Sequence, residues 1–325
     1  MRRRQFLSVM AGAAAWPAAA LAQQSPPAML RVGAISPQPR VRSFLQGFDV
    51  RIRELGYIEG QNLTVDYIDL QGRPERYPDG MQQLVDRKAD VIIAFGPEDE
   101  LKAAQAATKT IPIIMAAIDY DPFALGYVTS LARPTGNITG VVLEQIELSA
   151  KRLEMVTAAF PAVTKATVFW DRLSSDQWRA TRESAARFNL DLAGIELRDY
   201  PYDYARALAE SPLPNRGFLI VSTSPLFARD RDRLVQFCLV NRLPSMFVFR
   251  EFVDQGGLMS YGPNRIAMSR RVADYVNRIA RGAKPGDLPI ERPTIFELVI
   301  NQRTAKALGL EFSQAALLRA DEVLE

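Results

Sequence analysis

Residues 91–95 (VIIAF) and 111–118 (IPIIMAAI) are short apolar runs rich in Ile and Val, each closed by a turn and followed by a helical pattern. Continuous runs of this length read as strands buried on both faces, and a helix after each makes the pairing parallel. The turns Gly96-Pro97-Glu98-Asp99 and Asp119-Tyr120-Asp121-Pro122 then open on the same sheet edge. In open α/β sheets the crevice beyond the carboxyl ends of the strands holds ligands. The stretch 91–140 therefore predicts half of a small-molecule clamp.

The pattern recurs along the chain. Leu30 to Ile35, Asn62 to Ile68 and Ile138 to Leu143 complete a first series of five strands, with helices from about Val41 to Leu55 and Glu75 to Lys88. Ile146 to Phe160 is helical and opens a second series, with strands at Ala166 to Trp170, Leu190 to Leu197, Gly217 to Ser222 and Ser245 to Phe249. Helices alternate with them at Ser174 to Phe188, Asp203 to Glu210 and Pro225 to Asn241. The product expected is α/β: two doubly wound parallel-sheet lobes joined by hinge crossovers. Residues 30–144 with about 256–285 are assigned to the first lobe, and 145–252 with about 293–325 to the second. The chain is predicted to pass between lobes near 141–147, 250–258 and 286–296, which would act as the hinge.

Charge and composition narrow the function. Residues 1–22 run from Arg2, Arg3 and Arg4 through a short apolar stretch to Ala20-Leu21-Ala22, which reads as a cleavable export signal. Arg3-Arg4-Gln5-Phe6-Leu7 also matches a twin-arginine motif without its preceding hydroxyl residue, so both export routes stand. The expected location is periplasmic. The whole chain has 40 basic and 37 acidic residues, and losing three Arg with the signal leaves 37 of each. No nucleic-acid or membrane-surface role follows from the basic pI. There is no histidine, which excludes Ser-His-Asp and Cys-His catalysis and His-ligated metals. Cys238 is alone in an apolar stretch and reads as a buried small hydrophobe.

No phosphate loop, dinucleotide fingerprint or calcium loop is present, so no cofactor and no metal is expected. Candidate ligand contacts are the residues at strand ends. In the first lobe these are Ser36, Gly96, Pro97, Glu98, Asp119, Tyr120 and Asp121; in the second, Trp170, Asp171, Thr223, Ser224, Arg250 and Tyr261. Each has a structural alternative. Glu98, Asp99 and Glu100 suit the positive end of a helix dipole, Ser224 suits a helix cap, and Asp121 suits a cap ahead of Pro122. Rings at strand ends, such as Tyr120 and Trp170, would offer flat faces to a cyclic or cationic ligand.

Longer segments carry a family resemblance: Glu54 to Asn62 (ELGYIEGQN), Ala107 to Ile113 (ATKTIPI), Ser130 to Gly140 (SLARPTGNITG), Arg250 to Gly262 (REFVDQGGLMSYG) and Pro293 to Asn301 (PTIFELVIN). Through these the chain resembles the ABC-transporter substrate-binding proteins of the tryptophan/tyrosine type, with a type I periplasmic clamshell fold. The resemblance implies capture of a small solute between lobes and delivery to separately encoded permease and ATPase subunits, by a monomer that does no chemistry. Glu98, Asp119 and Asp171 depart from the family pattern, each adding a carboxylate near the expected mouth. The ligand predicted is therefore neutral and polar or cationic, with a ring. The alternative is an aromatic amino acid or related carboxylate, with Arg250 or backbone amides as anion partner. A ligand sensor for a membrane receptor, and an exported enzyme using Asp119 and Asp171 as acid and base, are the competing classes.

Overall fold

The apolar runs become parallel strands in two sheets. The computed structural model describes residues 29–40, 44–118, 120–143, 145–213 and 217–325; the expected export signal and Asp119 lie outside them. The first sheet is built from β1 (Leu30–Ser36), β2 (Leu63–Asp69), β3 (Val91–Gly96), β4 (Ile113–Ile118) and β5 (Ile138–Leu143). Its order is β2-β1-β3-β4-β5, with every pairing parallel. β3 and β5 are buried at all positions, whereas in the edge strand β2 only Leu63 and Val65 are fully buried. Helices α1 (Leu45–Glu54), α2 (Tyr77–Asp86) and α3 (Glu98–Ala107) supply the crossovers.

After α4 (Gln145–Ala159) the second series follows: β6 (Lys165–Trp170), α5 (Ser175–Ser184), β7 (Asp191–Glu196), α6 (Tyr204–Ala209) and β8 (Phe218–Val221). It continues through α7 (Pro225–Arg229), α8 (Arg231–Val240), β9 (Ser245–Phe247), α9 (Arg250–Val253) and β10 (Met259–Pro263). Helix α10 (Arg265–Ala280), β11 (Phe296–Asn301), α11 (Gln302–Leu308), α12 (Gln314–Arg319) and β12 (Glu322–Leu324) complete the chain. The second sheet is ordered β12-β11-β10-β9-β8-β6-β7, and only β10 with β11 is antiparallel.

Three expectations need correction. Strand β10 was assigned to the first lobe, but it is paired with β9 and β11 in the second sheet. Residues 250–258 accordingly stay within the second lobe, and the return crossing falls at Asn264, between β10 and α10. The helix expected over 225–241 breaks at Asp230, whose buried carboxylate accepts from Tyr200 and Tyr204 (both 3.0 Å) and pairs with Arg233 (2.8 Å).

Although α10 follows a strand of the second sheet, it packs against α1 on the first. Val272, Tyr275 and Val276 of α10 share a core with Leu45, Phe48 and Ile52 of α1 and with β1 and β3. Gly47 permits this approach, because a Cβ there would lie 2.5 Å from the Ile266 carbonyl oxygen. The opposite face of the first sheet is closed by α2 and α3 through Met81, Leu84 and Leu101. Overpacked helix contacts of this kind cost about 1–3 kcal/mol. Gly47→Ala should therefore lower the urea midpoint by a corresponding amount with an unchanged slope; an unaltered midpoint would show that α10 has room to shift.

Candidate functional site

Both sheets have a switch point, where successive crossovers leave in opposite directions, and these are where parallel sheets leave a crevice. In the first sheet it lies between β1 and β3, and in the second between β6 and β8. The residues just past those strand ends meet across an inner slot of about 20 Å³. Gln38, Phe95, Pro97 and Ile118 line it from the first lobe, and Leu173, Thr223, Ser224, Pro225, Ala228 and Phe249 from the second. Arg265, at the start of α10, completes the wall and is the one charged residue among those lining it. A wider cavity of about 770 Å³ opens between the loops after β2 and β7, lined by residues 71–75 and 196–202 with Asp171 and Arg172.

Ring surfaces are fixed from both sides. Phe95 stacks on Phe44 with centroids 3.6 Å apart and planes 8° from parallel. Phe249 lies under the Arg265 guanidinium, 4.8 Å from ring centroid to the guanidinium carbon. Arg265 Nη1 also faces Glu251 Oε1 of α9 at 3.3 Å, while its Nε has no hydrogen-bond partner among the described residues. Arg265 thus sits on a helix of the first lobe and is held by two residues of the second. Ion pairs join the lobes elsewhere: Arg172 Nη1 with Asp99 Oδ2 (2.9 Å), and Arg229 Nη1 with Asp69 Oδ1 (3.0 Å) and the Pro37 carbonyl (2.8 Å).

Glu98 and Asp171, two of the three added carboxylates, are engaged by partners in their own lobes. Glu98 Oε1 accepts from Tyr127 Oη at 2.7 Å and pairs with Lys102 at 3.0 Å, both in its own lobe. Asp171 is 2% exposed, and both its oxygens are occupied. Oδ1 accepts from Leu173 N (3.0 Å) and Ser174 Oγ (2.9 Å), and Oδ2 accepts from Tyr202 Oη (2.8 Å) and Ser224 Oγ. Burial pushes the Asp171 carboxyl up, and these hydrogen bonds oppose the shift. It is a hub that fixes the loop before α7. Asp121 caps its own turn through Phe123 N and Ala124 N, the structural role open to it from sequence.

Other expected residues separate as follows. Pro97, Thr223 and Ser224 line the slot, while Ser36 and Gly96 lie beside it at the ends of β1 and β3. Ser36 Oγ accepts from Gln38 N at 3.2 Å. The Gln177 side-chain amide brackets Thr223 N and O at 2.8 and 2.9 Å. Tyr120 and Glu98 line a neighbouring recess between the lobes. Trp170 turns away to stack on Trp178 of α5, and Tyr261 packs in the core beneath α4. Arg250 is displaced too: it pairs with Glu322 of β12 (2.7 Å) and Asp254 (3.2 Å), because antiparallel β11 brings the C-terminal strand to α9. Sequence reasoning missed Gln38, Phe95 and Arg265. A cation in the first turn of a helix opposes the dipole, and that misplacement was the legible signal for Arg265. Cys238 is buried, which pushes its thiol up to about 12 and leaves it inert. Among the described residues, no three or more Cys, Asp or Glu gather as a metal site.

The family described as ABC transporter substrate binding protein matches residues 32–324. The chain is 25% identical over 276 residues to the tyrosine-binding protein of Clostridioides difficile, covering 84% of this chain and 78% of that one. Its fold is similar to that of a conserved domain protein from Vibrio cholerae, with a TM-score of 0.77 and 24% identity over 91% of this chain and 99% of that one. It is also similar to an ABC domain from Streptococcus pneumoniae solved with L-Trp, with a TM-score of 0.76 and 20% identity over 91% of this chain and 100% of that one. The shared architecture is the two-lobed, parallel-sheet fold of type I periplasmic binding proteins.

Beneath the slot, Glu100 is 1% exposed, and its Oε1 accepts from Phe95 N at 3.0 Å. Burial drives this carboxyl well above the usual range. A folded pKa above the unfolded one gives stability that is whole below the ordinary carboxylate range and declines as pH rises through the folded value. Relative to Glu100→Gln, the wild type should thus lose melting temperature steadily as the pH is raised from 4.5. A difference between the two proteins that stays constant with pH would contradict this.

Proposed function

The chain belongs to the ABC transporter substrate-binding protein family, and on that premise we propose that it captures an aromatic amino acid between its lobes for import. Members bind a small molecule for an ABC transporter, act outside the cytoplasm and are not enzymes. The ligand class is supported by the relative that binds tyrosine, by the structural neighbour solved with L-Trp, and by the lining of the slot. One observation carries it. The slot pairs ring faces with a single cation, Arg265, whereas Glu98 and Asp171, two of the three carboxylates that favoured a cationic ligand, are engaged within their own lobes. The expectation of a neutral or cationic ligand thereby gives way to its alternative, with Arg265 in place of Arg250 as the anion partner.

Capture is a hinge motion on this reading. A slot of about 20 Å³ admits an aromatic side chain only when the lobes part. The chain crosses between lobes after β5, at Asn264 and between Leu288 and β11, and these three segments are the hinge. A ligand touching both lobes favours the closed arrangement by its differential affinity for it. Exposed ion pairs such as Arg172–Asp99 add at most about 1 kcal/mol to closure. The protein works as a monomer with separately encoded permease and ATPase subunits.

Thermal unfolding with L-tyrosine, L-tryptophan and L-phenylalanine, set against putrescine and agmatine, tests the assignment. An aromatic amino acid at 100 times its dissociation constant should stabilise the protein by about 2.7 kcal/mol. Stabilisation by the amines and not by the amino acids would overturn it.

A further inference from the structure

We propose that Arg265 and Gln38 form a two-point site for the head group of a free α-amino acid, the guanidinium taking the carboxylate and the Gln38 side-chain oxygen accepting from the ammonium. The proposal rests on the importer reading above and deepens it. Two unpartnered polar atoms carry the inference. Gln38 is 7% exposed and Arg265 is 6% exposed, and both line the inner slot. Gln38 Oε1 and Arg265 Nε each lack a hydrogen-bond partner among the described residues. Buried polar atoms are almost always paired, so two orphans on the wall of one slot call for an explanation. They are of opposite sense, one an acceptor and one a charged donor, which is the complement of an ammonium beside a carboxylate.

Both groups are held in place by the atoms the ligand would not use. Gln38 is pinned through its main chain, with N donating to Ser36 Oγ at 3.2 Å and O accepting from Tyr67 Oη at 2.6 Å. Arg265 is pinned by its stack over Phe249 and by Glu251 at Nη1, which leaves the Nε edge unused. A carboxylate meeting the edge of a guanidinium is the strong, geometrically selective form of this contact. Elsewhere in the lining, Ser224 Oγ bonds Asp171, and the Thr223 main chain bonds Gln177. The contacts of Arg265 with the second lobe also couple recognition to closure. Arg265 keeps its orientation only while Phe249 and Glu251 of the second lobe are against it.

Isothermal titration with L-tyrosine, tyramine and 3-(4-hydroxyphenyl)propionate tests the site, with L-leucine as a non-aromatic amino acid. Tyramine lacks the carboxylate and the propionate lacks the ammonium. Wild type is expected to bind L-tyrosine at least about 100-fold more tightly than either analogue. Arg265→Gln should erase the discrimination against tyramine, Arg265→Lys should restore part of it, and Gln38→Leu should erase the discrimination against the propionate. Equal wild-type affinity for L-tyrosine and tyramine overturns the proposal, and so does full discrimination in a folded Arg265→Gln or Gln38→Leu protein. Binding of L-leucine with the same dependence on both residues, without L-tyrosine, would uphold the head-group site and sink the aromatic assignment. Binding of neither amino acid would sink both.

Discussion

Parallel pairing governs the rest of this molecule. Because β1, β3 and β4 run in one direction in the first sheet, and β6, β8 and β9 do so in the second, each sheet delivers its strand ends to a single edge. At that edge the backbone must turn, and turns carry short polar residues and unpaired peptide groups. Facing the two edges across a gap brings Gln38 and Pro97 opposite Thr223 and Ser224, residues more than 100 positions apart. Neither sheet alone makes a slot. The site is a property of the pair.

The antiparallel step between β10 and β11 has an equally large consequence. β10 is the last parallel strand on its side of the second sheet, and its end feeds α10, which leaves to pack on the first. Arg265 therefore falls on the seam, two residues from a strand of one lobe and on a helix of the other. Its contacts with Phe249 and Glu251 tie the seam to the slot wall. Without the close approach at Gly47, α10 would stand off from α1 and the arginine would move with it.

The electrostatics of the slot follow from which carboxylates find partners. Tyr127 and Lys102 claim Glu98; Tyr202, Ser174 and Ser224 claim Asp171. Charges satisfied within a lobe do little to select a ligand between lobes. Arg265 is different, since Glu251 meets one of its nitrogens and leaves Nε without a partner among the described residues. The outcome is a slot whose one charged lining residue is a cation.

The alternation of apolar runs and helical patterns was enough to specify two doubly wound sheets, because burial on both faces demands unbroken Ile and Val runs whatever the surroundings. It likewise placed Pro97, Thr223 and Ser224 at the crevice, since strand ends are legible from the runs themselves. What it left open is which side chains at those ends face the gap. Trp170 and Arg250 lie at strand ends too, yet Trp178 and Glu322, distant in sequence, draw them elsewhere. Gln38 and Arg265 belong to no motif and gain their meaning from one slot that brings residues 38 and 265 together. Local pattern determines which elements form and where they end; long-range packing alone decides which charges are spent on the fold and which are kept for a ligand.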